Sequence, residues 1–489
     1  MTFVQELEPT SVWSHFDRIL TIPRPSKQEE RIRDYVIEVG DRNNLDHRID
    51  ASGNVLIRKP GTEGREAAAA TILQSHLDMV TEKNSDVEHD FNSDPIKPQR
   101  DGEYLTATGT TLGSDNGIGV AAMLAILEDH DLQHGPLELL FTMDEETGLT
   151  GASNLDATML SAKRLINLDS EEEGALCVGC AGGADSALTL AVNSVPNSAS
   201  NQALRVQLSG LKGGHSGVDI HLQRGNAIKL LSRALNKALT AAPFQIARID
   251  GGNMHNAIPR EATATLVLDR SDRATIEDCL QAEFKDIRSE FSAAEPTMEW
   301  SITSSDSVSA SATVWDTPST KTLLGLVEAL PHGVLAMSLD IPGLVETSTN
   351  LSTVKLQDDT VTIAMSSRSS VASALAALRQ RIRATATLAG ASVEEGNGYP
   401  GWKPDLGSEL LRVVKDLHLR ELGSEPQVEA IHAGLECGII GEMIPGMDMI
   451  SFGPQIDFPH SPDERVHIDS VGRFYTLLTR TLEELSLPA

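Results

Sequence analysis

Apolar positions recur along this chain at two spacings, and the switch between them marks its elements. Trp13, Phe16, Ile19 and Leu20 keep a helical period, as do Ile32, Tyr35, Val36 and Val39. Ser26 and Glu29, three positions apart ahead of the second run, have the spacing of a capping box. NVLIRK, TILQSHLDMV, PLELLFTM and RLINLD read as short apolar strands. GIGVAAMLAILEDH reads as a helix entered from a glycine-rich loop. Strands alternating with helices in this way predict an α/β sheet, mostly parallel.

The texture changes near residue 183. NSVPNSASNQ reads as a loop. LRVQLSGL, NAIKLLSRALNKAL, FQIARI, TATLVL, IEDCLQAEFKDIRSEF and MEWSIT then follow the β-α-β-β-α-β order of a ferredoxin-like unit. KTLLGLVEAL, VETSTNLSTV, VTIAMSS and VASALAALRQRI suggest a second, poorer copy. GNGYPGWKPD, at 396–405, is a Gly/Pro-rich hinge candidate, after which ELLRVVKDLH, DMISFG and FYTLLTRTLEEL return to helix and strand. The simplest reading is one α/β domain over 1–182 and 399–489, interrupted by an inserted α+β domain over 183–398.

Charge narrows the partners. With 70 acidic against 40 basic residues the formal net charge is −30, which opposes nucleic acid and anionic membrane surfaces. No apolar run approaches the roughly 18 residues that span a bilayer. MTFVQELEPT has neither the basic nor the apolar region of a secretory signal, and the four cysteines form no dense framework. A cytoplasmic location is the expectation.

Candidate chemistry collects where the strands end. SHLD (75–78), GSDNG (113–117), MDEETG (143–148) and NLDSEEEG (167–174) lie at strand ends or in the loops after them, and FPHSPDE (458–464) follows DMISFG. Ligands of open α/β sheets bind beyond the carboxyl ends of the strands. Taken singly, each cluster reads equally as a solvated acidic loop. Converging at one edge, they would repel unless cations separated them, and their mixture of imidazole and carboxylate suits zinc. Two divalent ions carry enough charge to balance three ligand carboxylates and a hydroxide.

QSHLDMV, TATGTTLGSDNGIG, TMDEETG, INLDSEEEG, GLKGGHSG, NAIPREA, YPGW, IHAGLECG and FPHSPDERVHI together resemble the aminoacyl-histidine dipeptidases, also called Xaa-His or cytosol non-specific dipeptidases or peptidase D. These belong to a clan of di-zinc aminopeptidases, carboxypeptidases and deacylases. The resemblance runs in order from about residue 10 to the C-terminus. It implies a di-zinc exopeptidase-like catalytic domain with an inserted lid domain. His76 and Asp169 would bind one zinc, Glu146 and His460 the other, and Asp115 would bridge both. A cis peptide is expected between Asp115 and Asn116. Asp78 would hold the His76 ring. Glu145 would act as general base and then acid, which requires a backbone turn separating it from Glu146. Cobalt or manganese could replace zinc.

In the inserted domain the resemblance implies substrate contacts. His215 would donate to the oxyanion, from its own chain or across a homodimer formed by the lid domain, with Asn256 nearby. Arg368 could grip a free carboxylate bidentately. His432 and Glu436, at i, i+4 spacing, would line the pocket. One of Glu171, Glu172 and Glu173 could meet a substrate amine, the group being otherwise solvated. Asp144 is read as solvated or structural, and the Cys177/Cys180 pair as incidental spacing. The implied activity is hydrolysis of dipeptides, including Xaa-His dipeptides such as carnosine. An N-acyl amino acid deacylase or carboxypeptidase of the same clan, and a non-catalytic peptide-binding protein on this scaffold, stay open as alternatives.

Overall fold

Thr71–His76 and Leu137–Thr142 are buried at every position, as strands covered on both faces must be. They lie inside an eight-stranded sheet of a computed structural model that describes residues 2–197, 201–305 and 313–487. The sheet runs His47–Ile49, Val55–Lys59, Leu137–Thr142, Thr71–His76, Arg164–Asn167, Asp448–Ser451, Ala175–Cys180, Gln427–Ile431. Its four central strands, Leu137–Thr142 through Asp448–Ser451, are parallel. Antiparallel partners flank them on both sides. Because the central strands share a direction, their carboxyl ends, His76, Thr142, Asn167 and Ser451, share one edge.

Helix Ser114–Glu128 is buried from Ser114 to Leu127, which explains a sequence apolar all round. Thr10–Ile19 packs against it through a face that includes Trp13 and Phe16. The expected capping box is not formed. The second helix, Glu30–Arg42, has Glu29 at its N-cap with no side-chain cap bond. The Ser26 hydroxyl instead donates to Asp78 Oδ2 at 2.8 Å, and Glu29 Oε1 accepts the backbone N–H groups of Lys27 and Asp144. Residues spaced for a cap are drawn to the sheet edge, where buried acceptors and donors need partners more than an exposed helix end does.

Contacts group the chain into two units: Met1–Cys180 with Trp402–Ala430 and Leu435–Ala489, and Ala181–Gly401 with Ile431–Gly434. The boundaries read from sequence differ by a few residues, and the return of 431–434 to the second unit had no sequence signal.

The second unit is built on an antiparallel sheet in the order Glu299–Ser305, Asn201–Ser209, Ala262–Asp269, Gln245–Gly251, Val345–Gln357, Thr360–Ser369, Gly182–Ala191, Ser392–Glu395. The first four strands, with helices Ala227–Ala241 and Arg273–Glu290, follow β-α-β-β-α-β in the spatial order 4-1-3-2. The remaining four, with helices Thr317–Ala329 and Ala372–Leu388, repeat that order in mirror sequence along the sheet. The halves join where Asp250 and Gly251 pair with Lys355 and Val354. Gly182–Ala191 supplies the first strand of the second copy, although the first copy intervenes in the chain. One apolar cluster, including Leu204, Leu231, Leu266, Leu323 and Ile382, underlies both halves. The loop expected over 193–202 is partly strand, Ser194–Pro196, and its residues 198–200 lie outside the described residues. Among the described residues no helix is long and apolar enough to cross a membrane.

Candidate metal centre

His76 closes its strand and is fully buried. Its Nε2 lies 3.0 Å from Asp115 Oδ1 and 3.2 Å from Asp169 Oδ1. Its Nδ1 lies 3.2 Å from Asp78 Oδ1. On the other side of Asp115, Oδ2 is 3.3 Å from His460 Nε2, which is 3.1 Å from Glu146 Oε2. The result is two triads, His76–Asp115–Asp169 and Asp115–Glu146–His460, sharing Asp115. Within each triad the potential ligand atoms fall within 4.8 Å of one another.

Asp78 acts on three elements at once. Besides His76, it accepts the Ser26 hydroxyl and the backbone N–H groups of Glu145 (3.0 Å) and Glu146 (3.1 Å). Burial alone would raise its pKa, but the hydrogen bonds from His76, Ser26 and the backbone hold it down at about 2. It is therefore an anion that orients the His76 ring and fixes the turn carrying both glutamates.

The turn that separates the two glutamates begins at Asp144. Asp144, two residues past the strand, has φ +49°, and Leu149 has φ +57°. Glu145 and Glu146 thus leave strand geometry and face different neighbours. Asp144 is structural but not solvated: it is buried, with its N–H on Glu29 and an oxygen accepting from Thr147 Oγ1.

The Asp115–Asn116 peptide is cis. The Asn116 amide donates to Asp169 Oδ1 and to the Leu168 carbonyl, tying the Asp169 loop to the Asp115 loop. Two further residues have no role assigned by the sequence, although Glu464 closes the FPHSPDE cluster. Glu464 is buried and accepts the N–H groups of Leu112, Gly113, Ser114 and Asp115 together with the Ser114 hydroxyl. Arg24, also buried, donates to the carbonyls of Leu77, Asp78 and Gly113. A carboxylate and a guanidinium thus satisfy the backbone groups of the loops carrying Asp78 and Asp115.

Below the centre a polar layer crosses the strand ends. Glu436 Oε2 accepts from Gln74 Nε2 (2.6 Å) and Thr142 Oγ1 (2.7 Å). Gln74 Oε1 accepts from the Asn167 amide, whose own Oδ1 takes the Asp169 N–H. Glu436 opens helix Glu436–Met443 while His432 precedes it, so the expected placement of the two on one helix face is corrected.

The electrostatics follow from crowding. Burial opposes an imidazolium at His76, yet Asp169, Asp115 and Asp78 keep its pKa well above the usual value. Hydrogen bonds with Asp115 and Glu146 lift His460 to about 11. Burial, and then repulsion from Asp169, Glu146 and Glu436, pushes Glu145 well above an ordinary glutamate. Asp169 is raised to about 6, mainly by burial. Glu146 Oε1 is buried without a hydrogen-bond partner. An uncompensated carboxylate oxygen is costly unless a cation faces it. The donor set, two imidazoles and three carboxylates in two triads with a shared member, fits a pair of divalent cations.

In the second unit, Arg368 sits in strand Thr360–Ser369, nearly buried, with Nη1 on the Tyr399 hydroxyl at 2.8 Å. Its Nη2 is 3.5 Å from His215 Nε2. His215 Nδ1 accepts the N–H groups of Gly217 and Val218, which leaves the ring proton on Nε2. Burial and then Arg368 lower this imidazole to about 4, so it is neutral near pH 7. Two donors thus face each other with no acceptor between them, and Arg368 Nε is buried without a partner. Any Cβ at Gly217 would stand 2.9 Å from Arg368 Nε and 2.3 Å from the His432 carbonyl, so the close approach needs glycine. Asn256 enters the cluster through its backbone, its carbonyl accepting the Ser216 N–H at 2.7 Å. His432 Nε2 meets Ser348 Oγ at 2.7 Å. Cys177 and Cys180 are buried in a strand and join none of the His/Cys/Asp/Glu groupings of metal-binding type among the described residues.

Comparison with known proteins converges on one family. Residues 72–484 match the model of peptidase family M20/M25/M40. The chain is 41% identical over 486 residues to the cytosol non-specific dipeptidase of Escherichia coli (strain K12), covering 99% of each protein. Its structure superposes on that of aminoacylhistidine dipeptidase from Vibrio alginolyticus with a TM-score of 0.92 at 40% identity, over 100% of this chain and 99% of that one. Aminopeptidase PepT from Bacillus cereus, at 16% identity and a TM-score of 0.57, shares the fold, with 98% of this chain and 100% of that chain covered.

Proposed function

We propose, on the premise that this chain belongs to peptidase family M20/M25/M40 and is a peptide hydrolase, that it cleaves dipeptides at the centre formed by His76, Asp115, Glu146, Asp169 and His460. The observation that carries this reading is the pair of triads sharing Asp115. Whole-length similarity to two proteins named as dipeptidases supports the substrate class, and the name of the Vibrio protein supports Xaa-His dipeptides such as carnosine. A cytosolic location follows the name of the Escherichia coli relative.

His76 and Asp169 would hold one cation, Glu146 and His460 the other, and Asp115 both; the donor types favour zinc, with cobalt or manganese as substitutes. Such a pair, when bound, activates a water and polarises the scissile carbonyl. Glu145 takes the proton from the attacking water and returns it to the departing amine. A carboxyl with a raised pKa suits both transfers. Asp78 keeps His76 in the tautomer that presents Nε2, and keeps Glu145 and Glu146 apart. The facing donors of Arg368 and His215 suit a carboxylate, and we assign them the free carboxylate of the substrate.

The second unit also favours assembly as a homodimer. Its strand Gly333–Met337 pairs with Val345–Gln357 alone among the described residues. That edge exposes Leu335, Met337 and, just beyond, Leu339. Light scattering of the purified protein should give twice the chain mass; a monomer at micromolar concentration would refute the dimer.

Metal analysis followed by a dipeptide panel, with and without a chelator, tests the activity. Two transition-metal ions per chain, chelator-sensitive cleavage of dipeptides and weaker cleavage of N-acyl amino acids are expected. Cleavage that survives complete metal removal would sink the reading.

A further inference from the structure

Glu29 and Arg33 stand four positions apart at the start of helix Glu30–Arg42, a spacing at which opposite charges normally pair. Here they do not. Glu29 is buried and turned toward the sheet edge, where its Oε1 takes the N–H groups of Lys27 and Asp144 at 2.9 Å each. Arg33 is left half-buried, with no side-chain hydrogen bond or ion pair among the described residues, and its Nε is shielded from solvent without a partner. Acids are not scarce in this chain, at 70 against 40 basic residues, so the unpaired guanidinium reflects local geometry. It lies against Gly53, where a Cβ would stand 3.1 Å from Nη1. Gly53 has φ +91°, in a turn that Asp50 Oδ1 closes by accepting the N–H groups of Ser52 and Asn54. Arg33 lines a cavity of about 350 Å³ within the first unit, together with Glu29, Met143, Asp144 and Thr150. That volume lies at the lower end of small-molecule sites, roughly 300–1,000 Å³.

Both signs of charge border this cavity. Glu29 and Asp144, with Asp78 behind them, bring carboxylate oxygens within 4.8 Å of one another, a span that one ammonium can bridge. A simple anion would meet these acids, and a simple cation would meet Arg33. A molecule carrying a carboxylate and an ammonium on one carbon answers both. We propose that this cavity is a second binding site for a free α-amino acid, with its carboxylate on Arg33 and its ammonium on Glu29 and Asp144. The choice of occupant rests on the dipeptidase reading, since free amino acids are what dipeptide hydrolysis releases. The back wall of the cavity is the turn that carries Glu145 and Glu146. Glu29 holds the Asp144 N–H, and the Asp144 carbonyl takes the Thr150 N–H at 2.9 Å. An occupant therefore bears on both glutamates, and accumulated product lowers kcat from outside the metal centre.

Equilibrium dialysis of labelled L-alanine against the zinc-loaded full chain counts the sites. The wild type should bind one equivalent more than Arg33→Gln; equal counts would overturn the proposal. Propionate and ethylamine each lack one of the two charges and should leave the extra equivalent in place. Full displacement by either alone would make the cavity a plain ion site and overturn the amino-acid assignment. In kinetics on alanyl-histidine, saturating L-alanine should lower the wild-type kcat about fivefold, whereas Arg33→Gln should keep its kcat. Without alanine the variant should match the wild type in kcat/KM, because Arg33 has no partner to lose. Bound alanine that leaves the wild-type kcat unchanged would overturn the coupling to the turn. A chain that cleaves no dipeptide would overturn the dipeptidase reading, and the difference in bound alanine would still decide the site.

Discussion

The carboxylate of Glu464 accepts the backbone N–H of Asp115 at 3.3 Å, across 349 positions of chain. Three neighbouring N–H groups and the Ser114 hydroxyl bind the same carboxylate. The residue four places after His460 therefore sets the loop of Asp115, the residue common to both triads. Removing Glu464 strands several buried donors at about 1–3 kcal/mol each. Glu464→Ala should lower the thermal midpoint sharply, while Glu464→Gln should fold but bind the second ion more weakly. Scanning calorimetry with a metal titration would check both, and an unchanged titration in Glu464→Gln would contradict this role.

Glu145 belongs to neither of the triads that share Asp115, although it also groups with His76 and Glu146, and it carries the proton in the proposed chemistry. Glu145→Gln keeps the side-chain shape and removes the base. Turnover should fall by about 10²–10⁴-fold. Metal content, read by plasma mass spectrometry, should stay at two per chain. A variant that loses an ion along with activity would mark Glu145 as a ligand instead.

Arg368 offers a planar fork that a lysine cannot copy. Arg368→Lys should raise KM for dipeptides about tenfold or more with a smaller change in kcat. Dipeptide amides, which lack the carboxylate, should lose much less. Equal losses on acids and amides would remove Arg368 from carboxylate binding.

Acid should destabilise the second unit. His215, His332 and His432 are each lowered to about 4, in every case first by burial. Their unfolded value is near 6.5, so the unfolded chain binds more protons between the two values. The stability from keeping them neutral is complete above about pH 6.5 and is lost as pH falls toward 4. Thermal midpoints should drop across that window. His332→Gln, a residue of neither triad, should flatten the drop; an unaltered slope would refute the assignment.

How much could be read beforehand depended on the kind of contact. The convergence of the clusters that carry His76, Asp115, Glu146, Asp169 and His460 was legible because apolar strand patterns locate the sheet edge, while the choice of these residues within each cluster came from the family resemblance. Arg24 and Glu464 were not legible, since their partners are backbone groups, and a backbone N–H or carbonyl leaves no mark in a sequence. Ser26 and Glu29 were misread because capping-box spacing is a local rule, and here a distant acid and a distant amide outcompete it. An acid at Asp144 reads from sequence as solvated or structural; the left-handed turn at its own position buries it. The second copy in the inserted segment looked poor because its first strand, Gly182–Ala191, precedes the whole of the first copy.

Asp448–Ser451 fills the place between Arg164–Asn167 and Ala175–Cys180, in the interior of the catalytic sheet. On a translating ribosome that place stays open while the entire second unit is made, and His460 emerges later still. A half-synthesised chain therefore displays His76, Asp115 and Asp169 without the residues that finish the site. On the proposed ligand set, premature metal capture would yield at most one ion, and the proposed hydrolytic competence would wait until His460 has been made.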